Sequence, residues 1–127
     1  MNGFLIVAIG GGLGASLRHG VGLAAARHLS PAWPHATFAV NMVGSLLMGV
    51  LVGWLIAREA GTSEQMRLFF ATGLLGGFTT FSAFSLELAE MLRAGEHGKA
   101  ALYAGGSLAI GVAALFAGLW VARRVFA

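Results

Sequence analysis

The chain contains no cysteine, so neither a disulfide nor a thiolate metal centre can hold it together. It contains only two prolines, Pro31 and Pro34, which confine the strongest helix stop to a single stretch, RHLSPAWPH. Charge is scarce as well. Asp, Glu, Lys and Arg make up 10% of 127 residues, against 57% hydrophobic. A soluble domain carries about 25% charged residues. With a mean hydropathy of +0.82, the composition excludes a soluble domain and requires an integral membrane protein. Catalytic groupings are missing too. No two histidines stand at ligand spacing on one helix, and no nucleophile has a base beside it, so no enzyme is expected. The net charge of +3 invites a nucleic-acid reading. The basic residues fall in ones and twos between apolar runs rather than in a stripe, which fits membrane boundaries and excludes a nucleic-acid partner.

What is present is four long apolar stretches, at residues 3–26, 36–57, 66–92 and 99–122. Each is long enough to span a membrane, which takes about 20 residues. The expectation is an all-α membrane protein with four transmembrane helices and a single domain over residues 1–127. The opening MNGFLIVAIGGG lacks a basic leader region and a clean cleavage pattern, so no removable signal is expected. The connections are short. REAGTSEQMR ends one helix at Gly61 and starts the next with a capping-box pattern, Thr62 followed by Gln65. RAGEHGK is a polar turn. A protein this small has little room to enclose a pathway alone, so an oligomer is expected.

Four spans bring both ends of the chain to one side. Arg58, Arg67, Arg123 and Arg124 lie on that side; Arg27, Arg93 and Lys99 lie on the other, with Arg18 if it reaches the interface. Membrane orientation follows the difference between two such sets. Here they nearly balance, so insertion in both orientations, and the antiparallel dimer it permits, stands even with a single orientation set by a small bias.

LIVAIGGGLGASLR looks at first like a dinucleotide-binding turn, Gly10-x-Gly12-x-x-Ala15. That fingerprint needs a βαβ unit and an acidic residue about 20 positions on. The chain there reads SPAWPHATF, without an acid, and the nucleotide reading is rejected. Gly10 with Gly14, and Gly49 with Gly53, are instead small-xxx-small pairs that let helices approach closely in lipid.

Polar groups inside a span are expensive and therefore functional candidates. Asn41 lies in the second span with Thr37 a turn before it and Ser45 a turn after, all on one face. Its amide can meet an anion or glue helices together. In the third span, Gly76-Gly77 invites a break. A break frees backbone groups, which membrane depth tolerates only inside protein or beside a wet cavity. Thr79, Thr80, Ser82 and Ser85 follow, with Phe81 and Phe84 on one face. Phenyl rings have positive edges that can meet an anion without a full positive charge. In the fourth span Tyr103 and Ser107 share a face, and Gly111 follows one turn on. Arg18 either attracts anions at a vestibule or snorkels to the interface. Glu87 is protonated, paired or pathway-lining; the sequence leaves these open.

GGGLGASLRH at 10–19, ATFAVNMVGSLLMG at 36–49 and, above all, GLLGGFTTFSAFSLE at 73–87 resemble the Fluc (CrcB) family of fluoride channels, and the resemblance covers essentially the whole chain. It implies an antiparallel, dual-topology homodimer in a microbial plasma or inner membrane. It implies a third helix broken near the midplane and two pores that export toxic fluoride passively. It also implies a central structural Na+ held by backbone carbonyls, here those of Gly76 and Thr79 from both subunits. Phe81 and Phe84 match the phenylalanines lining the fluoride path, Asn41 the pore asparagine, and Thr80 and Ser82 the nearby hydroxyls. Tyr103 and Ser107 match helix-four pore positions, and Arg18 the vestibule base. Fluoride selectivity follows from the resemblance alone.

The alternative from another class is a small dual-topology multidrug or cation exporter. It needs a membrane-embedded carboxylate, and only Glu87 offers one. A non-transporting assembly subunit is the second alternative and explains the phenyl and hydroxyl groups less well.

Overall fold

A computed structural model describes residues 2–58 and 63–126. Among them lie α1 (Gly3–His28), α2 (His35–Arg58), the short α3 (Glu64–Arg67), a π-helical segment (Leu68–Leu75), the short α4 (Gly76–Phe78), α5 (Phe81–Arg93) and α6 (His97–Phe126). Four stretches are long and apolar enough to cross a membrane: Gly3–His28, His35–Arg58, Glu64–Arg93 and His97–Phe126. They agree with the four expected spans to within a few residues at each end.

Local signals set the ends. The Asn2 side chain accepts the Phe4 N–H at 2.7 Å and caps α1. Gly61 and Thr62, expected to stop one helix and cap the next, lie outside the described residues. Ser63 caps α3, its hydroxyl accepting the Met66 N–H at 3.2 Å. Gly95, at φ 77°, closes α5. Its N–H reaches the Leu92 carbonyl and the Glu96 N–H reaches Met91, the paired bonds of a Schellman turn. At the same end Lys99 on α6 donates to the Ala32 carbonyl, lies 5.2 Å over the Trp33 ring and pairs with Glu96 at 3.4 Å. It ties the proline-bearing connection to the start of α6.

The helices pack as two parallel pairs rather than as sequence neighbours. α1 lies along the π segment and α4; α2 lies along α6. Glycines make both approaches. A Cβ at Gly10 would sit 2.6 Å from the Phe69 carbonyl oxygen, and one at Gly14 would strike the Leu74 carbonyl and lie 2.8 Å from the Phe78 nitrogen. On the other pair, a Cβ at Gly49 would strike the Leu115 carbonyl, and one at Gly118 the Leu46 carbonyl. Lipid gives helices no hydrophobic reason to associate, so such backbone-to-backbone packing holds them. Gly10 and Gly14, and Gly49 and Gly53, are thus packing pairs, as their spacing suggests.

Gly76 and Gly77 are helical. The helix continues through Phe78, and the extended residues are the two after it, Thr79 (φ −88°, ψ 160°) and Thr80 (φ −152°, ψ 120°). The physical reason lies in the neighbours. Gly77 is needed where it is, because a Cβ there would strike the Gly11 carbonyl. Threonine, β-branched, is at ease in extended backbone.

Candidate functional site

The extended pair leaves backbone groups without helical partners inside an apolar span, and the surrounding side chains take them up. The Asn41 Nδ2 donates to the Thr80 carbonyl at 3.0 Å, and the Thr80 N–H donates to Asn41 Oδ1 at 2.8 Å. One side chain thereby satisfies both backbone groups of one residue. The Thr80 hydroxyl accepts the Ala83 N–H at 3.2 Å and caps α5. The Thr79 N–H and hydroxyl both donate to the Leu75 carbonyl, at 3.1 and 3.0 Å. The Arg18 Nε donates to the Gly77 carbonyl at 3.1 Å. Among the described residues, no donor reaches the Gly76 or the Thr79 carbonyl. These are hard oxygen atoms on either side of the turn in the chain, the kind of donor that suits Na+.

A cleft of about 560 Å³ opens against this point between α2, α5 and α6. Its wall brings together Asn41, Thr79, Thr80, Phe81, Phe84 and Ser107 of the residues singled out from sequence, with Ser45 and Gly111 beside them. The Phe81 and Phe84 rings are 5.8 Å apart, centre to centre, and Phe84 is 5.0 Å from Tyr103. The Ser107 hydroxyl is buried and has no hydrogen-bond partner among the described residues. Among its described residues this wall carries no full charge. It offers an amide N–H, hydroxyls and ring edges.

Four expected residues stand off the cleft. Tyr103 is buried with Met91 and Ala100, and its hydroxyl donates to Glu87 Oε1 at 3.0 Å. Ser82 is exposed on α5, its hydroxyl 3.3 Å from that of Thr80. Arg18 lines a second cavity of about 280 Å³ with His19, Thr37 and Ala83. Thr80 lines both cavities and joins them. Gly76 is in neither.

Sequence reasoning missed one grouping. The Thr37 hydroxyl donates to Glu87 Oε2 at 2.9 Å, so Glu87 accepts one hydroxyl on each oxygen, from α2 and from α6. The signal existed: Thr37 precedes Asn41 by one turn and Tyr103 precedes Ser107 by one turn. It needed the parallel pairing of α2 with α6 to be read.

Residues 5–119 match the model of the family described as "CrcB-like protein, Camphor Resistance (CrcB)". A protein of Hyphomonas neptunium named "Fluoride-specific ion channel FluC" is 66% identical over 127 residues, the whole of both chains. Proteins with the same name from Phenylobacterium zucineum and Caulobacter vibrioides are 51% and 50% identical, again over the whole of both chains.

Proposed function

This chain belongs to the CrcB family, and on that premise we propose that it is a fluoride-selective passive channel that lets toxic fluoride leave a microbial cytoplasm. It is a multi-pass membrane protein and not an enzyme. The observation that carries the reading is the uncharged cleft on which Asn41, Thr80, Phe81, Phe84 and Ser107 converge. Fluoride is small and strongly hydrated, so a pathway must replace its water with compact donors. Amide, hydroxyls and ring edges do this without the tight hold of a fixed positive charge, and an ion must bind weakly enough to leave. Arg18 in the adjoining cavity attracts anions towards the entrance.

The finer features belong to the same proposal. Two copies insert in opposite orientations and pair as an antiparallel homodimer with two pores. The near balance of Arg58, Arg67, Arg123 and Arg124 against Arg18, Arg27, Arg93 and Lys99 supports this. Thr79 and Thr80 form a break in the third span near the midplane. The Gly76 and Thr79 carbonyls of both copies hold a structural Na+, which supplies positive charge and a fixed junction between the breaks. The membrane is the plasma or inner membrane. The exporter alternative has only Glu87 to work with, and no observation favours it.

The test is halide efflux from liposomes containing the purified protein, read with fluoride and chloride electrodes. Fast fluoride release with little chloride is the expected result. Release of neither ion from folded protein would end the reading.

A further inference from the structure

The Asn41 and Ser107 level is not the end of the polar face. α2 and α6 run parallel in one register along the cleft. Gly49 abuts Leu115, and a Cβ at Gly111 would lie 3.5 Å from Met42 Cε and 3.9 Å from Ser45 Oγ. The same register sets Asn41 across from Ser107 and Thr37 across from Tyr103, and the last two share Glu87. The rails therefore read Thr37, Asn41, Ser45 on α2 and Tyr103, Ser107, Gly111 on α6. Every rung has a polar group on both sides except the last, where α6 presents only Gly111.

Hydroxyls in apolar helices normally donate back to the carbonyl one turn earlier. Ser16 does so to Gly12 at 2.7 Å, Ser85 to Phe81 at 2.9 Å and Thr79 to Leu75 at 3.0 Å. Ser107 does not: its hydroxyl is buried without a partner among the described residues. No hydrogen bond joins the Ser45 hydroxyl to another described residue either, and both serines line the same cleft. Two helix-interior hydroxyls that leave their own backbone unbonded, a turn apart on facing rails, are donors waiting for an acceptor. The absent side chain at Gly111 leaves the room.

We infer that Ser45 forms a further anion-binding position in this channel, one turn beyond Asn41 and Ser107, with its α2 hydroxyl standing in for one that α6 lacks at Gly111. The inference rests on the fluoride-channel reading. A fluoride ion leaving the Ser107 level meets Ser45 Oγ as its next donor, against the Met42 and Met48 side chains and the open face of Gly111.

The experiment moves the hydroxyl across the cleft. Fluoride efflux is measured from liposomes for the unaltered protein, Ser45→Ala and the double variant Ser45→Ala with Gly111→Ser, each shown to be folded by its elution profile. A hydrogen bond to an ion is worth enough that Ser45→Ala should slow efflux by about tenfold or more. The double variant, with its hydroxyl restored from α6, should recover most of the rate. If the alanine variant aggregates, Ser45→Cys keeps the shape with a weaker donor and carries the same comparison. Efflux by folded Ser45→Ala at the unaltered rate overturns the inference. So does a slow single variant whose folded double variant stays slow, because the loss then belongs to packing on α2. Absence of fluoride release from the unaltered protein instead removes the channel reading itself.

Discussion

Asn41 binds Thr80 by both of its backbone groups, accepting the N–H at 2.8 Å and donating to the carbonyl at 3.0 Å. The side chain with the clearest claim to meet an ion is thus also the one that makes extended backbone affordable in the third span. An amide has two N–H donors, and the second remains for the cleft. Asn41→Ala should therefore act twice. It leaves two backbone groups unsatisfied at about 1–3 kcal/mol each, so the melting temperature in detergent falls, and fluoride efflux is lost. Asn41→Asp separates the two effects. It still accepts the Thr80 N–H, so it should melt higher than the alanine variant. Its negative charge on the path should still abolish efflux. A conducting Asp variant would show that the amide serves structure alone.

This double duty explains what could and could not be read from sequence. Hydropathy located the spans, because length and apolarity need no partner. The glycine pairs announced close approach but not the neighbour: Gly10 and Gly14 meet the π segment and α4, and Gly49 meets α6. Gly76 and Gly77 drew attention as the place for irregular backbone, because glycine is the poorest ordinary helix former. Their context overrode propensity. Gly77 is occupied with the Gly11 contact, and the irregularity moved to two threonines for which Asn41 waits on α2. The Glu87 grouping depended on which helices lie side by side, and nothing local encodes that. Asn41, Thr80 and Ser107 drew attention because a polar side chain is out of place in an apolar span, whereas Phe81 and Phe84, at home in lipid by themselves, stood out only beside those groups.

The glycine seam predicts a sharp contrast within one helix. A Cβ at Gly14 lands on the Leu74 carbonyl, and backbone cannot swing aside as a side chain can. Gly14→Ala should cost about 1–3 kcal/mol and lower the yield of monodisperse protein. Gly12, two residues earlier, has nothing within 4 Å of its would-be Cβ. Gly12→Ala should be neutral or gain up to about 1 kcal/mol from helix propensity. Thermal melts of the pair decide it; equal losses would mean that the α1 contact with the third span is not what holds the fold.

Phe81 and Phe84 separate pathway from packing. Phe81 is 79% exposed in the single chain, so Phe81→Ile should change the stability of the chain's own fold by less than about 1 kcal/mol. It should still cut fluoride efflux, because an aliphatic side chain has no positive ring edge. Phe84 also packs on Tyr103 at 5.0 Å. Phe84→Ile should lose efflux and in addition about 0.5–1.5 kcal/mol of ring pairing. Efflux and melting are measured on both. Unchanged efflux in Phe81→Ile would discard the role of ring edges.

The Gly76 and Thr79 carbonyls yield the last prediction. Of the neighbouring carbonyls, Leu75 is taken by Thr79, Gly77 by Arg18 and Thr80 by Asn41, while among the described residues no donor reaches that of Phe78 either. Unpaired carbonyls inside a span are costly, several kcal/mol each in hydrocarbon. A second copy bringing the same two groups would make an all-oxygen shell, and a cation would stabilise the dimer without any carboxylate. Its removal should then weaken assembly before it touches the cleft. Purified protein exchanged at length into a buffer with a bulky organic cation in place of Na+ should shift towards monomer on gel filtration. It should also lose efflux, and Na+ should restore both. A verified Na+-free dimer with full efflux would sink the structural cation. The cleft defined by Asn41, Phe81 and Phe84 would survive that result, because none of its contacts passes through the ion.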